Sequence, residues 1–295
     1  MKKIIIAGGT GFIGSFLTRR FLETGNEVQL VSRAPGHIPW QKDALVAALE
    51  GADVLINLAG KNINCRYTEA NKELILRSRI TTTTLLGEAM RSCKNPPELW
   101  INASASAIYQ YAEGEQSTEK SDKFANNFLA TVVRDWENVF FSFQLPNTRH
   151  VALRTSVVLG NEGGAFPPLK MLTRYGLGGK AGTGKQAFSW IHIDDYFNAI
   201  QFLMSASGIS GAVNGSAPQI VSNAQLMVEL RRSMKMPFGL PAPAFAVKIG
   251  AAVIGTDAGL ILDGVSIFPE VLVKSGFVFK FADLKSAISQ LLNKN

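Results

Sequence analysis

Glycines at positions 8, 9, 11 and 14 separate an apolar run, Ile4–Ala7, from Phe12–Thr24, where apolar residues recur at helical spacing. A short strand, a tight turn and a helix are expected there. Glycine lets the turn close and lets backbone approach a phosphate, and a helix N-terminus offers free N–H groups and a positive dipole end. The pattern predicts a dinucleotide pyrophosphate site. Its expected residues are Gly8, Gly11, Phe12, Ile13 and Gly14.

The end of the second predicted strand bears on which dinucleotide binds. Sites that prefer NAD place an acidic residue there, roughly 20 residues after the glycines, to hold the ribose hydroxyls. This chain has Ser32 and Arg33 instead. The guanidinium group can pair bidentately with a 2′-phosphate, and the hydroxyl can hydrogen-bond to it. We therefore predict NADP, with an ordinary surface arginine as the alternative.

A buried apolar strand, Asp53–Leu58, runs into the sequence Asn57–Gly60. Open α/β folds bind ligands at the carboxyl edge of the sheet, where this strand ends. Glycine at its end permits close approach to a cofactor. Cofactor contact is therefore predicted for Asn57–Gly60, and an ordinary turn remains the alternative.

Hydroxyl groups follow the predicted strand Trp100–Ala103. Ser104 and Ser106 are candidates for binding a substrate oxygen, although both are equally explained as turn-capping residues. Tyr109 is a candidate catalytic acid. His192 lies in an apolar run, which favours a structural histidine over a catalytic one.

Strands alternate with helices along the first half of the chain, which predicts an α/β fold with a doubly wound parallel sheet of the Rossmann type. The predicted strands are Ile4–Ala7, Glu27–Ser32, Asp53–Leu58, Trp100–Ala103 and His150–Leu159, and the helices are Phe12–Thr24, Ala44–Leu49, Glu69–Ser92 and Phe124–Phe143.

In the later part of the chain, glycine-rich segments interrupt the alternation of predicted strands and helices. Residues 1–212 are predicted to form the NADP-binding domain and residues 213–295 a small C-terminal α/β lobe. Glycine-rich residues 160–186 are expected to contribute to the substrate lobe. Within them, 176–184 is interpreted either as a lid over the substrate or as a plain loop.

Composition narrows the function classes. The chain has 295 residues, of which 46% are hydrophobic and 18% charged, enough for a sizeable core. Its net charge is +7, but the basic residues are scattered, so no nucleic-acid partner is expected. The apolar stretch 242–268 contains Lys248, Asp257 and Asp263, so no membrane partner is expected. Two cysteines without metal-ligand spacing predict no metal and a cytoplasmic protein.

Several motifs together resemble one family. The glycine turn, Val31–Arg33 and Asn57–Gly60 resemble the extended short-chain dehydrogenase/reductases. Further motifs resemble its atypical epimerase-family members, which carry a short C-terminal domain of unassigned function. Those motifs are Tyr67–Thr68 with Lys72, Ser78–Arg79, Ser104–Ala107, Trp136–Glu137, Val157–Gly160 with Gly163–Gly164, Gly176–Gly179, Gly182–Gln186, Ser189–Asp195, Pro241–Phe245 and Gly276–Phe279.

This resemblance implies a set of NADP(H)-binding residues. They are the glycine turn Gly8–Gly14, Ser32, Arg33, Leu58, Ala59 and Arg79, with Gly60 closing the same run and Val158 lining the nicotinamide end.

One departure from the superfamily concerns catalysis. Extended short-chain enzymes carry a Tyr-x-x-x-Lys pair on a helix, in which the tyrosine moves the substrate proton and the lysine lowers its pKa. The corresponding positions here hold Leu129 and Val133, which cannot move a proton. A second departure is the sequence Ile108–Tyr111, where the family often has two adjacent tyrosines.

The sequence therefore predicts an NADP(H)-binding oxidoreductase or epimerase-like enzyme. Its substrate would be a small molecule with a carbonyl or hydroxyl group, not identified further. A non-catalytic NADP(H) sensor or scaffold is the alternative, because the Tyr/Lys pair is missing. The oligomeric state stays open, with a homodimer among the alternatives.

Overall fold

The computed structural model describes residues 1–293. The strands are β1 (Lys3–Ala7), β2 (Glu27–Val31), β3 (Val54–Asn57), β4 (Leu99–Ala105), β5 (Arg149–Thr155), β6 (Val157–Gly160), β7 (Gly163–Gly164), β8 (Ala187–Phe188), β9 (Trp190–His192), β10 (Gly211–Gly215) and β11 (Val221–Ser222). The helices are α1 (Phe12–Glu23), α2 (Lys42–Leu49), α3 (Glu69–Ser92), α4 (Phe128–Ser142), α5 (Phe166–Arg174), α6 (Ile193–Ser205), α7 (Asn223–Ser233), α8 (Ala244–Ile254), α9 (Gly259–Leu262), α10 (Glu270–Lys274) and α11 (Leu284–Asn293).

Six strands form the main sheet in the order β10-β5-β4-β3-β1-β2, and every neighbouring pair is parallel. Parallel sheets are covered by helices on both faces, so their strands are apolar at consecutive positions. Ile4 and Ile6 face a core that includes residues of α1 and α6, while Ile5 faces a second core with residues of α2 and α3. The predicted Rossmann fold is confirmed.

A buried polar network fixes α3 and α4 relative to the sheet. The Asn57 amide donates to Asn102 Oδ1 (2.7 Å) and to Thr83 Oγ1 (3.2 Å). The indole N–H of Trp136 donates to the same threonine at 2.8 Å. These bonds join β3 and β4 to both helices and so fix the position of α3 and α4 against the sheet.

The predicted strand His150–Leu159 is two strands in different sheets. β5 belongs to the main sheet, whereas β6 pairs with β7 and β9 in a three-stranded sheet. The change occurs at Ser156, whose N–H donates to Gly215 O, while the N–H of Val157 donates to Ser189 O. Apolar periodicity is the same on both sides of this change, so the sequence pattern did not reveal it.

The predicted helix Phe124–Phe143 begins later, at Phe128. Asn127 is its N-cap and accepts a hydrogen bond from the N–H of Ala130. Phe124 instead forms an isolated antiparallel bridge with Tyr109. The apolar residues before Asn127 therefore pack as extended chain rather than as a helical turn.

The C-terminal residues pack against the main sheet and against 160–186. β10 pairs with β5, so the division predicted between residues 212 and 213 falls within a strand of the main sheet. The N–H groups of Gly179 and Gly182 donate to the carbonyls of Leu240 and Ala242. The glycine-rich segment is thus hydrogen-bonded to the chain that leads into α8. Within residues 1–293, none of the helices has the length and apolar character needed to cross a bilayer.

Candidate functional site

The glycine turn between β1 and α1 requires glycine at two positions for internal reasons. Gly8 has φ +79°, and a Cβ there would lie 2.8 Å from the backbone N of Ala59. A Cβ on Gly14 would lie 2.6 Å from Gly8 O. Gly11 differs, because the nearest atom to its Cβ position is Gly8 O at 3.8 Å. Its open side is where a ligand can approach the backbone.

The start of α1 fits a phosphate group. Gly11 is the N-cap, and no side chain of the described chain caps this helix. Its first N–H groups and its positive dipole end are therefore available to an anion. The ring of Phe12 packs against the β6–β7 hairpin, where a Cβ on Gly163 would lie 2.8 Å from Phe12 Cγ. Phe12 thus contributes its backbone to the turn and its side chain to packing.

The segment after β2 holds Arg33 at the surface. Across residues 1–293, no hydrogen bond or ion pair engages its guanidinium group, and the side chain is exposed. The Ser32 hydroxyl behaves differently from the sequence expectation, since it lies 2.7 Å from His37 Nδ1 and accepts from the N–H of Ala34. It therefore shapes the segment that presents Arg33. His37, which sequence reasoning missed, adds a polar group beside it.

The run after β3 lies directly beside the glycine turn. The N–H of Leu58 donates to Ala7 O, and the N–H of Ala59 donates to Asn57 Oδ1. Gly60 is exposed, and a Cβ on it would lie 3.1 Å from Arg79 Cζ.

Arg79 reaches back from α3 to this same run. Its Nη1 atom donates to the carbonyls of Lys61 and Ile75. Its guanidinium group stacks over the ring of Trp136, 5.2 Å from the centroid. The structure therefore brings Arg79 to the segment Asn57–Gly60, where cofactor contact is predicted and which is called the cofactor run below. Arg79 is 18 residues away in sequence from Lys61, whose carbonyl it binds.

Val158 lies in β6, and its side chain is buried in the main core. Its carbonyl oxygen lies 3.0 Å from the position of a Cβ on Gly164, in the hairpin that packs against Phe12. The predicted nicotinamide-end residue is thus placed next to the glycine turn. Its contact with a cofactor stays a prediction.

A buried ionic cluster occupies the region after β4. Arg154 pairs with Glu137 through two hydrogen bonds, from Nε at 2.9 Å and from Nη2 at 2.7 Å. The Ser104 hydroxyl donates to Glu137 Oε1 at 2.5 Å. The Tyr109 hydroxyl donates to Asn214 Oδ1 at 2.9 Å and accepts from Arg154 Nη1 at 2.7 Å. Burial raises the pKa of Tyr109, with Arg154 opposing that shift.

This geometry does not favour the catalytic roles predicted for the hydroxyls. The donors of Ser104 and Tyr109 are both directed at protein acceptors, and both side chains are buried. Ser106 begins a short 3₁₀ turn, Ser106–Ile108, and its carbonyl accepts from the N–H of Tyr109. The three catalytic assignments stay predictions, and the cluster has the contacts of a structural element.

The two positions that replace the Tyr-x-x-x-Lys pair lie in the first turns of α4. Leu129 is half-buried, and Val133 is buried beside Tyr109. Sequence reasoning found no proton donor at these two positions, and the structure places only apolar side chains there. Any proton donor must therefore be a group other than the side chains at these two positions.

A tyrosine that sequence reasoning noted only as part of a motif lies at this edge. The Tyr67 ring packs edge-on against Phe128, the first residue of α4, with centroids 5.4 Å apart. Its hydroxyl is buried and has no hydrogen-bond partner among residues 1–293. In the sequence, Tyr67 was noticeable only as part of the family motif Tyr67–Thr68, which did not indicate a chemical role for its hydroxyl.

His192 has the structural role expected from its apolar surroundings. It is the N-cap of α6, where its Nδ1 accepts from the N–H of Asp194, and its Nε2 lies 2.8 Å from Gln290 Oε1. Asp195 instead accepts from the N–H groups of Lys280 and Phe281. Among the residues that the structure describes, no group of three His, Cys, Asp or Glu side chains is placed to hold a metal ion.

Comparisons with known proteins agree with this geometry. The sequence profile of the NAD dependent epimerase/dehydratase family matches residues 4–214, and that of a domain of unknown function (DUF1731) matches residues 242–291. The mouse epimerase family protein SDR39U1 is 35% identical over 298 residues, covering 98% of this chain and 99% of the relative. A Staphylococcus aureus epimerase family protein, SAB0724c, is 32% identical over 303 residues, covering 100% of both chains.

Solved structures show the same relationship. The crystal structure of human epimerase family protein SDR39U1 with NADPH has a TM-score of 0.90 and 34% identity, covering 99% of this chain and 100% of that one. A nucleoside-diphosphate sugar epimerase from Corynebacterium glutamicum has a TM-score of 0.79 and 30% identity, covering 99% of this chain and 58% of that one. The described fold, the glycine turn and the match over most of the chain lead to one conclusion: the protein belongs to the NAD dependent epimerase/dehydratase family and carries a C-terminal domain of the DUF1731 type.

Proposed function

We propose that this protein is an NADP(H)-binding oxidoreductase or epimerase-like enzyme that acts on a carbonyl or hydroxyl group of a small molecule. The observation that carries the proposal is the pairing of an open phosphate site at Gly11 with an exposed, unengaged guanidinium group at Arg33. The crystallised human relative with NADPH supports the same cofactor.

The preference for the 2′-phosphorylated cofactor follows from charge. The first βαβ unit ends its second strand at Val31, and the next two residues are a serine and an arginine rather than an acid. A guanidinium group attracts a phosphate dianion, whereas ribose hydroxyls need an acceptor. Arg33 has no competing ion pair in the described chain, so its charge is available to the cofactor.

Bound NADPH would supply a hydride, and the protein would hold it in place. The backbone N–H groups at the start of α1 would bind the pyrophosphate, and Leu58–Gly60 would border the cofactor beside the glycine turn. Arg79, fixed by the carbonyls of Lys61 and Ile75, would add positive charge at this run.

Cofactor choice is tested by calorimetric titration of NADPH and NADH. Arg33→Ala should weaken NADPH binding by about 1.5–3 kcal/mol, the range for a lost charged hydrogen bond, or roughly 10- to 150-fold. NADH binding should change little. Arg77→Ala is the matched control, because its side chain is exposed and its ion pair within residues 1–293 is with another exposed side chain, Glu73. Equal affinities of the wild type for the two cofactors would contradict the proposal.

Catalysis is tested by following NADPH consumption with a broad panel of ketones, quinones and sugar nucleotides. Turnover of any of them supports the enzyme. Tight NADPH binding without turnover favours the second candidate, a non-catalytic NADP(H) sensor or scaffold. The specific observation behind that candidate is the replacement of the Tyr/Lys pair by Leu129 and Val133, together with the engaged hydroxyl of Tyr109.

A further inference from the structure

Tyr67 lies where two helices begin at the carboxyl edge of the sheet. It directly precedes Thr68, the N-cap of α3, and its ring contacts Phe128 at the start of α4. Leu129, one of the two positions where extended short-chain enzymes carry the Tyr/Lys pair, is the next residue on α4. The phenol of Tyr67, directly before the N-cap of α3, therefore lies near Leu129 on α4, the position at which extended short-chain enzymes carry their tyrosine.

The hydroxyl group of Tyr67 is unlike most buried hydroxyls. Its oxygen atom is buried in the unliganded protein, although the residue as a whole is only half-buried, and it makes no hydrogen bond within the described chain. Buried polar groups are nearly always paired, because an unpaired one costs about 1–3 kcal/mol. An unpaired hydroxyl beside a predicted cofactor run is explained if its partner is the ligand.

Charged groups around Tyr67 connect it to that run. Arg79 and Asp257 both interact electrostatically with the phenol. Arg79 also lies against Gly60, whose Cβ position is 3.1 Å from the guanidinium carbon. Arg79 therefore lies against the cofactor run and within electrostatic reach of the phenol, without a hydrogen bond to it in the described chain.

The electrostatic balance keeps the phenol protonated. Burial raises the pKa of Tyr67 well above its ordinary value, Asp257 raises it further, and Arg79 opposes the shift. A protonated phenol is a proton donor and not a base at neutral pH. The nearby guanidinium group would stabilise the phenolate left after donation.

We propose that Tyr67 is the proton donor of this site, replacing the tyrosine that α4 lacks; this rests on the function proposed above. The carbonyl carbon of the substrate accepts a hydride from NADPH. The carbonyl π electrons move to oxygen, which takes the phenolic proton of Tyr67. Once the alcohol has left and solvent enters in its place, the phenolate regains a proton, so the products are the alcohol and NADP⁺, and one proton is consumed.

The location of Tyr67 is tested without a substrate, by fluorine NMR of protein labelled with 3-fluorotyrosine. The chain has five tyrosines, so each resonance is assigned by a Tyr→Phe variant. NADP⁺ and NADPH differ in charge at the nicotinamide ring. We expect the Tyr67 resonance to differ between the two complexes and the exposed Tyr175 resonance to stay the same. Gly11→Val, which should not bind either cofactor, should show neither change.

Identical Tyr67 resonances in the two complexes would overturn the proposal. So would a redox-dependent shift at Tyr109 without one at Tyr67. Tyr67→Phe should fold normally, since no partner is lost, and a thermal melt checks this directly.

The role of Tyr67 is tested with any carbonyl compound that the wild type reduces. Tyr67→Phe should lower kcat by about 10²-fold or more and leave the NADPH dissociation constant unchanged. Arg77→Ala, the exposed control used for the cofactor titration, should keep a kcat near that of the wild type. A fully active Tyr67→Phe variant contradicts the role of Tyr67 alone, whereas absence of turnover in the wild type contradicts the proposed function itself.

Discussion

Two tyrosines follow neighbouring strands of the sheet, and their hydroxyls have opposite environments. Tyr109 follows β4, and its hydroxyl has two partners, Asn214 and Arg154. Tyr67 follows β3, and its hydroxyl has none among residues 1–293. Burial raises the pKa of both phenols. Residue type and burial are thus shared, and the hydrogen-bond partners distinguish them.

The difference shows how the fold separates stability from chemistry. Around Tyr109, the charges of Arg154 and Glu137 neutralise each other inside the protein. The same two side chains also form hydrogen bonds with the nearby hydroxyl groups. Such a cluster holds β4, β5, β10 and α4 together. Around Tyr67 the hydroxyl is left unused, and the adjacent arginine borders the cofactor run. A donor that is free in the unliganded protein is the kind that a ligand can recruit.

The largest effect on stability is expected from breaking the buried ion pair between Arg154 and Glu137, which tests whether the Tyr109 cluster is structural. Glu137→Ala leaves the Arg154 guanidinium buried without its carboxylate, which should lower the free energy of unfolding by about 3–5 kcal/mol. Urea denaturation measures it. Glu162→Ala is the control, because that carboxylate forms an exposed pair with Arg19, for which a loss of about 0–1 kcal/mol is expected. Equal losses in the two variants would show that the cluster is not structural.

The two tyrosines themselves give the next largest effect. Tyr109→Phe removes a hydroxyl that serves Asn214 and Arg154, so it should destabilise the protein by about 1–3 kcal/mol. Tyr67→Phe removes an unpaired buried hydroxyl together with its desolvation cost, so it should leave the free energy of unfolding unchanged or raise it by up to about 1–3 kcal/mol. Each variant is the other's control in the same urea titration. The comparison fails if Tyr67→Phe is the less stable of the two.

The parts of the molecule that could be predicted from sequence are those set by local rules. The glycine turn at Gly8–Gly14 was recognisable because a strand, a tight turn and a helix are encoded within one short stretch. The bounds of α3 were predicted as observed, Glu69–Ser92. Both features depend on residues close together in the chain.

The rest depends on contacts between distant residues. The partners of Arg154 lie 17 and 45 residues away, and Asn214 lies 105 residues from Tyr109. No local sequence pattern predicts such contacts. From the sequence alone, the hydroxyls of Ser104 and Tyr109 could therefore be interpreted as free to bind a substrate. The sequence also could not predict that the Tyr67 hydroxyl lacks a hydrogen-bond partner within residues 1–293. That depends on which side chains α3, α4 and the residues near Asp257 place around it.

The smallest effect concerns the border of the Tyr109 cluster, at Glu119. Its Oε1 atom accepts from the N–H groups of Asn214 (2.9 Å) and Val271 (3.3 Å), and its buried Oε2 atom has no partner within residues 1–293. Burial raises the pKa of Glu119, while those backbone hydrogen bonds oppose the shift. The folded protein therefore holds this proton more tightly than the unfolded chain does.

The sign of the resulting pH dependence follows from that difference. The stabilisation from the bound proton is complete below the pKa of the unfolded chain and is lost as the pH rises through the higher pKa of the folded protein. Glu119→Gln keeps an acceptor oxygen for both N–H groups and does not titrate. Its melting temperature should therefore rise relative to the wild type as the pH increases above the ordinary pKa of a glutamate, about 4, by less than about 3 °C. Exposed Glu162→Gln, melted in the same buffers, corrects for the loss of one surface carboxylate. A wild type that gains stability relative to Glu119→Gln as the pH rises would mean that the carboxylate is stabilised in the fold, and that its second oxygen has a partner after all.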